Sequence, residues 1–203
     1  MRKFPRGRSL CVSGALTVLV SSLAASPALA ATAPVDTSSC TQPQLSQPFL
    51  SAGDTNWYTL APGQAADNFG GGGWTLTGGA KITSEKLADA HTGSVLDLPS
   101  GSEAISPVMC VASTYPTARM MVRDAIGNEG VSFQVSYAGT KTWDNARNTG
   151  HVHGNHTDWT LSNPVNIHPG NLPGWQLVRF TFIPGGHASD FKIYDFYVDP
   201  RMT

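Results

Sequence analysis

The segment Val131-Ser-Phe-Gln-Val-Ser-Tyr137 sets Val131, Phe133, Val135 and Tyr137 on one side of the backbone and Ser132, Gln134 and Ser136 on the other. A strict period of two belongs to a half-buried β-strand, because successive side chains of an extended chain point to opposite faces. The same pattern recurs at Val178, Phe180 and Phe182 against Leu177, Arg179 and Thr181, and at Met120 and Val122 against Arg119, Met121 and Arg123. Further short runs rich in β-branched and aromatic residues lie at 73–77, 94–98, 104–111, 159–161 and 191–198, each bounded by Gly, Pro, Asn or Asp. The run at 191–198 is apolar on both faces, which predicts a central strand or one covered by a loop. Helical periodicity is weak throughout; residues 83–90 alone suggest one or two helical turns. Strands this short and this closely spaced predict an all-β fold, an antiparallel sandwich or barrel. With 21 Gly, 14 Pro and only 13% charged residues in 203, neither a coiled coil nor a disordered chain fits, and one domain is the economical reading.

The first thirty residues read as an export signal. Arg2, Lys3, Arg6 and Arg8 form a basic start, residues 10–25 are apolar or small, and Ala28-Leu29-Ala30 is a small-residue cleavage site. The apolar stretch is too short to span a bilayer comfortably, so no membrane span is expected after cleavage. Loss of those four cations leaves 9 Lys+Arg against 14 Asp+Glu in residues 31–203, a net charge of −5. A mildly acidic domain has no basic footprint for nucleic acid. Residues 31–48 are rich in Thr, Ser, Pro and Gln and read as an extended arm preceding a single domain over 49–203. Two cysteines remain, Cys40 and Cys110, and a pair in an oxidising compartment is most simply a disulfide.

Asn68-Phe-Gly70 followed by Trp74-Thr-Leu-Thr-Gly-Gly-Ala80, Gly93-Ser-Val-Leu-Asp-Leu98, Gly174-Trp-Gln-Leu-Val-Arg-Phe-Thr-Phe182 and Ile193-Tyr-Asp-Phe-Tyr-Val-Asp199 occur in an order that resembles the galactose-binding-like jelly rolls. That family includes many carbohydrate-binding modules, which often open on N-x-x-F-E and then Trp. The likeness covers roughly residues 66–199 and implies a jelly-roll β-sandwich. The full chain also resembles small secreted actinobacterial proteins, a likeness that implies no function. One departure matters: the Glu after the opening Phe, often a calcium ligand in the family, is Gly70 here, although Asp195 and Asp199 remain in the closing strand. The resemblance therefore implies a possible but incomplete structural calcium site.

Four groups of residues carry chemical interest. His151, His153 and His156 could present three imidazoles to zinc or copper if the chain turns back at Gly154-Asn155; the alternative is a solvated hairpin tip. Among five tryptophans, Trp74 and Trp175 sit in strand-like runs and are expected in the core, whereas Trp57, Trp143 and Trp159 stand beside Asn and Asp. An aromatic ring flanked by planar polar groups suits the C–H face and hydroxyls of a sugar; a loop-anchoring role is the alternative. Arg119, Arg123, Gln134 and Arg179 fall on the outward faces of their strands. They make one donor-rich patch if those strands are neighbours in one sheet, or else arginines paired with acidic neighbours. Carboxylates such as Glu85, Asp97, Glu103 and Glu129 are scattered singly, and there is no G-x-S-x-G, H-E-x-x-H or phosphate loop.

These observations point first to a secreted, non-catalytic sandwich that binds a glycan or a cell-surface polymer. An extracellular structural or interaction protein without a small ligand is the second reading, and a glycan hydrolase on the same fold is the third.

Overall fold

The computed structural model describes residues 35–199 apart from 113, 115, 116, 141 and 170–173; the expected leader, 1–30, lies outside the described residues. In chain order the strands are β1 (Thr59–Leu60), β2 (Thr75–Thr77), β3 (Lys81–Lys86), β4 (Thr92–Pro99), β5 (Glu103–Ile105), β6 (Met109–Val111) and β7 (Thr117–Ile126). They continue with β8 (Val131–Tyr137), β9 (Arg147–Val152), β10 (Thr160–Leu161), β11 (Val165–Asn166), β12 (Gln176–Pro184) and β13 (Asp190–Asp199). One sheet runs β10-β7-β13-β4-β3, with β1 added to β13 and β11 to β7; the other runs β2-β5-β12-β8-β9, with β6 added to β12. All pairings between these strands are antiparallel. The chain is an all-β, two-sheet antiparallel sandwich, as its alternation predicts. No helix among the described residues is long and apolar enough to cross a membrane.

The sheets meet through the faces that the sequence marks as apolar. Phe133, Phe180 and Phe182 of the β12 sheet and Met120, Val122, Leu96, Ile193 and Phe196 of the β13 sheet are all completely buried. Phe196 lies across the interface, its ring centre 5.1 Å from that of Phe180, 5.2 Å from Phe182 and 5.8 Å from Phe133. Each buried ring contributes about 1.5–3 kcal/mol by leaving water, and edge-to-face pairing adds about 0.5–1.5 kcal/mol. Trp74 stacks on Phe182 at 5.9 Å and donates its indole N–H to the Pro62 carbonyl at 3.0 Å, so it belongs to the core as expected. That packing requires glycine at Gly63: its φ is +82°, and a Cβ there would stand 2.3 Å from the Gly72 oxygen and 2.8 Å from the Trp74 ring. Trp175 is partly buried against the same core.

Three departures from the sequence reading have physical causes. The helical turns suggested for 83–90 are absent: Lys81–Lys86 is a strand laid along β4, and Ala90 closes the following turn at φ +68°. Its side chains face a sheet in which Lys81 and Glu85 find charged partners, so pairing overrides a faint helical pattern. The run 104–111 is interrupted at Ser106-Pro107, where Pro107 has no N–H for the ladder; Ser106 donates its N–H to the Phe180 carbonyl at 2.8 Å, and its hydroxyl accepts the Phe180 N–H at 2.9 Å. The closing strand β13 is central, between β7 and β4, and carries a bulge. Tyr194 pairs with Met121 and Tyr197 with Arg119, so one extra residue is accommodated, and Asp195 takes φ +50°. Both tyrosines consequently face outward, which explains why the run lacks alternation.

Tyr197 is covered by the chain that precedes the sandwich, and Tyr194 by Trp159. Phe49 and Tyr58 pack on Tyr197, with Met121 and Leu161 alongside. Ser46 and Tyr58 exchange backbone hydrogen bonds of 2.8 and 2.9 Å. Upstream, Cys40 is joined to Cys110 of β6 with Cα atoms 5.7 Å apart. A bridge enclosing 70 residues of separation contributes about 4 kcal/mol in the chain-entropy account.

Candidate functional site

The sequence-derived patch divides between the two outer faces of the sandwich. Arg119 and Arg123 lie on β7 in the β13 sheet, whereas Gln134 on β8 and Arg179 on β12 lie in the other sheet. Alternation fixes which side of a strand turns outward but not which sheet the strand joins, so the four cannot form one surface.

On the β13 sheet the arginines are held. Arg119 forms an ion pair with Asp54 and donates Nε–H to the Ser162 carbonyl at 2.9 Å; Tyr58 donates its hydroxyl to the same Asp54 carboxylate at 2.5 Å. Burial alone would raise the Asp54 pKa, but hydrogen bonds from Tyr58, Asn56 and Arg119 outweigh it and bring it below the ordinary value. Burial and that carboxylate push the Tyr58 hydroxyl up to about 12. Arg123 pairs with Glu85 at 3.1 Å and lies 5.0 Å from the centre of the Trp159 ring. Trp159 in turn donates its indole N–H to the Lys86 carbonyl at 2.7 Å and sets its ring edgewise on Tyr194 at 4.7 Å. These contacts answer for Arg119, Arg123 and Trp159 structurally. Next to them Lys192 is buried among Asp97 at 2.9 Å, Glu85 at 3.4 Å and Asp190 at 3.7 Å. Burial lowers the Lys192 pKa, and the three carboxylates more than reverse this.

The outer face of the β12 sheet is built differently. Its register aligns Thr75, Ile105, Thr181 and Gln134 as one outward rung across β2, β5, β12 and β8, continued by Asn148 on β9. The next outward pair is Arg179 beside Ser136. The turn after β8 folds back so that Ala138 bridges to Trp143, while Asp144 accepts the Tyr137 N–H at 2.5 Å. The Trp143 ring is thereby laid on the Arg179 guanidinium, whose carbon lies 3.8 Å from the ring centre. Among the described residues no carboxylate pairs with Arg179. This face therefore holds an ordered aromatic plane, a guanidinium with five donors, an amide and a row of hydroxyls.

The remaining candidates stand apart. Trp57 is 54% exposed. His151 and His153 have ring centres 6.3 Å apart, but His156 is set against the Asp124 carbonyl at 3.0 Å. Among the described residues no group of three or more His, Cys, Asp or Glu side chains is placed to hold a metal ion. Asp195 and Asp199 belong to no such group: Asp195 accepts the Asp67 N–H at 2.8 Å and Asp199 the Thr117 hydroxyl at 3.2 Å. Sequence reasoning missed Asp54, Tyr58, Asp67 and Asp89, which lie in loops whose composition gives no sign of the sheet they reach.

No family model matches the chain. No curated protein matches it either. The solved structures that it is similar to include carbohydrate-binding modules. The C-terminal CBM6 of LamC, a marine laminarinase from Zobellia galactanivorans, aligns at 17% identity over 62% of this chain and 90% of the module, with a TM-score of 0.34. The family 11 carbohydrate-binding module from Clostridium thermocellum aligns at 9% identity over 64% of this chain and 89% of the module, with a TM-score of 0.36. An arabinose-bound GH51 α-L-arabinofuranosidase aligns at 16% identity over 64% of this chain, with a TM-score of 0.41; the chain spans only 23% of that enzyme.

Proposed function

We propose that the protein is a secreted, non-catalytic carbohydrate-binding protein that holds a glycan on the outer face of the β12 sheet. The observation that carries this reading is the state of Arg179: it lies on Trp143 at 3.8 Å and, among the described residues, has no carboxylate partner, whereas Arg119 and Arg123 each have one. Stacking holds the guanidinium plane in place without using its N–H donors, which stay available to sugar hydroxyls. Gln134 and Ser136 add amide and hydroxyl groups within the same two strands. The free edge and face of the Trp143 ring offer an apolar surface to the C–H side of a pyranose.

Pull-down on insoluble polysaccharides together with a glycan array tests the reading. Retention on at least one glycan is expected, with Trp143→Ala and Arg179→Ala each weakening it about tenfold or more, the loss of one or two charge-assisted or stacking contacts. Unchanged melting of both variants would show that the loss is local. Absence of retention on every glycan, or variants that bind as well as the parent, would overturn the assignment and favour an extracellular structural or interaction role.

A further inference from the structure

The other side of the sandwich contains a cavity of about 260 Å³ between the β13 sheet and the segments that cross it. Phe49, Met121 and Tyr194 supply its apolar walls, and Asp67, Asp89 and Asp195 its polar groups. The short 3-10 turn Leu50–Ala52 borders it through Ser51 and Ala52. Tyr194 is fixed from two sides: its hydroxyl accepts the Ala88 N–H at 3.3 Å, and Trp159 abuts its ring.

Its chemistry is one-sided. Ionised carboxylates only accept hydrogen bonds; among the described residues no Lys, Arg, Asn or Gln lines the space, and the hydroxyls of Ser51 and Tyr194 are its side-chain donors. Three carboxylates against two hydroxyls favour a ligand that donates over one that must also accept. An ammonium group is such a ligand, with three donors and no acceptor, and it is attracted to aromatic faces as well as to carboxylates. Asp195 is the deepest of the three, 7% exposed and held at φ +50° by the β13 bulge. One of its oxygens accepts the Asp67 N–H at 2.8 Å, and the Asp67 carboxyl stands beside it. Asp89 sits at the exposed mouth, on the turn that carries His91, whose ring contacts its carboxylate.

We propose that this cavity binds a primary ammonium on an unbranched apolar stem, with the stem along Phe49, Met121 and Tyr194 and the ammonium between Asp195 and Asp67. The state of Asp195 supports this. Burial, and then the charge of the neighbouring Asp67, push its carboxyl up to about 6, so at neutral pH Asp195 is ionised at a cost to the fold. A group kept ionised at a cost to the fold is what a cation-binding position requires.

Titration calorimetry of the purified protein at pH 7.5 with n-butylammonium, and with n-butanol as its neutral counterpart, tests the inference. Saturable binding of the amine and none of the alcohol is expected. Asp195→Asn, which preserves both the shape and the positive φ, should weaken amine binding at least tenfold while melting no lower than the parent. Asp89→Asn, on the exposed turn, should weaken it less and provides a check that needs no change inside the fold. Cadaverine and Nα-acetyl-lysine methylamide distinguish the two sources of this chemistry, a free diamine and a lysyl side chain. Equal heats for butanol and butylammonium, binding of none of the amines, or an Asp195→Asn protein that binds as tightly as the parent would overturn it. The inference is independent of glycan binding on the opposite face, and failure of either leaves the other standing.

Discussion

The two outer faces of the sandwich start from the same material and end as opposites. Each sheet places arginine at an outward position of a long strand, two on β7 and one on β12, and each places a tryptophan against one of them. On the β13 sheet the neighbouring strands and the N-terminal segment bring Asp54, Glu85, Asp97 and Asp190, so the cations are consumed internally. On the β12 sheet the neighbours bring Ser136, Thr181 and Gln134, and Arg179 is left with an aromatic plane. The difference lies in the strand next door and not in the arginine. A charged residue on a sheet is structural or available according to what its cross-strand partners carry.

Lys192→Ala should have the largest effect. It leaves Asp97, Asp190 and Glu85 close together with only Lys81 and Arg123 to offset them, and removing one member of a buried ion network costs about 3–5 kcal/mol. Denaturant unfolding at pH 7 measures it. The loss should shrink in acid, where protonation relieves the repulsion. A cost under about 1 kcal/mol would mean that the network is a solvated surface feature and that the two faces are not different in kind.

Asp195→Asn comes next and has the opposite sign. The carboxyl has a pKa of about 6 in the fold against an ordinary value of 3.8, so the folded protein binds that proton more tightly than the unfolded chain does. Its contribution is fully present below about pH 4 and is lost as pH rises through 6, for a total of about 3 kcal/mol. The variant should therefore match the parent near pH 3.5 and exceed it by up to that amount at pH 7.5. Taking the difference between the two proteins across pH removes the contributions of carboxylates that do not interact with Asp195, and leaves those of Asp195 and its neighbour Asp67. A flat difference curve would show that Asp195 ionises as freely as a surface group.

Much of this contrast was invisible in the sequence, and the reason is specific. The patterns in 131–137 and 178–182 correctly assign inward and outward residues because alternation is a local property of an extended backbone. Sheet membership is not local: nothing in Met120-Met-Val-Arg123 says that Asp190–Asp199 will be its neighbour, and so Arg123 and Arg179 looked equivalent. Trp143 and Trp159 looked equivalent for the same reason, each standing beside Asp. β9, with the sequence Arg-Asn-Thr-Gly-His-Val, has no apolar face to announce it, since it is an edge strand whose formation depends on β8. The bulge at Asp195 turns a strand that reads as apolar on both faces into an alternating one with an extra residue, and a single sequence does not display that shift. The core aromatics, the disulfide and the sandwich class were legible because volume, cysteine count and strand spacing are properties of composition and order.

The smallest effect is the most discriminating one. Arg→Lys preserves the charge but removes the planar fork and most of the stacking. At Arg179, where the contact with Trp143 is worth about 0.5–1 kcal/mol at a half-exposed site, the change in stability should stay within that range. At Arg123 the same substitution also disturbs the pair with Glu85 and, through it, the carboxylates around Lys192, so its cost should be greater. Glycan retention should respond in the reverse order, with Arg179→Lys weakening it and Arg123→Lys leaving it unchanged. Measuring melting and retention on both variants separates a face that spends its cations on the fold from one that holds a cation in reserve for a ligand. If the two variants moved together in both measurements, the distinction between the faces would collapse, because a shared response requires that Arg179 be as deeply tied into the fold as Arg123.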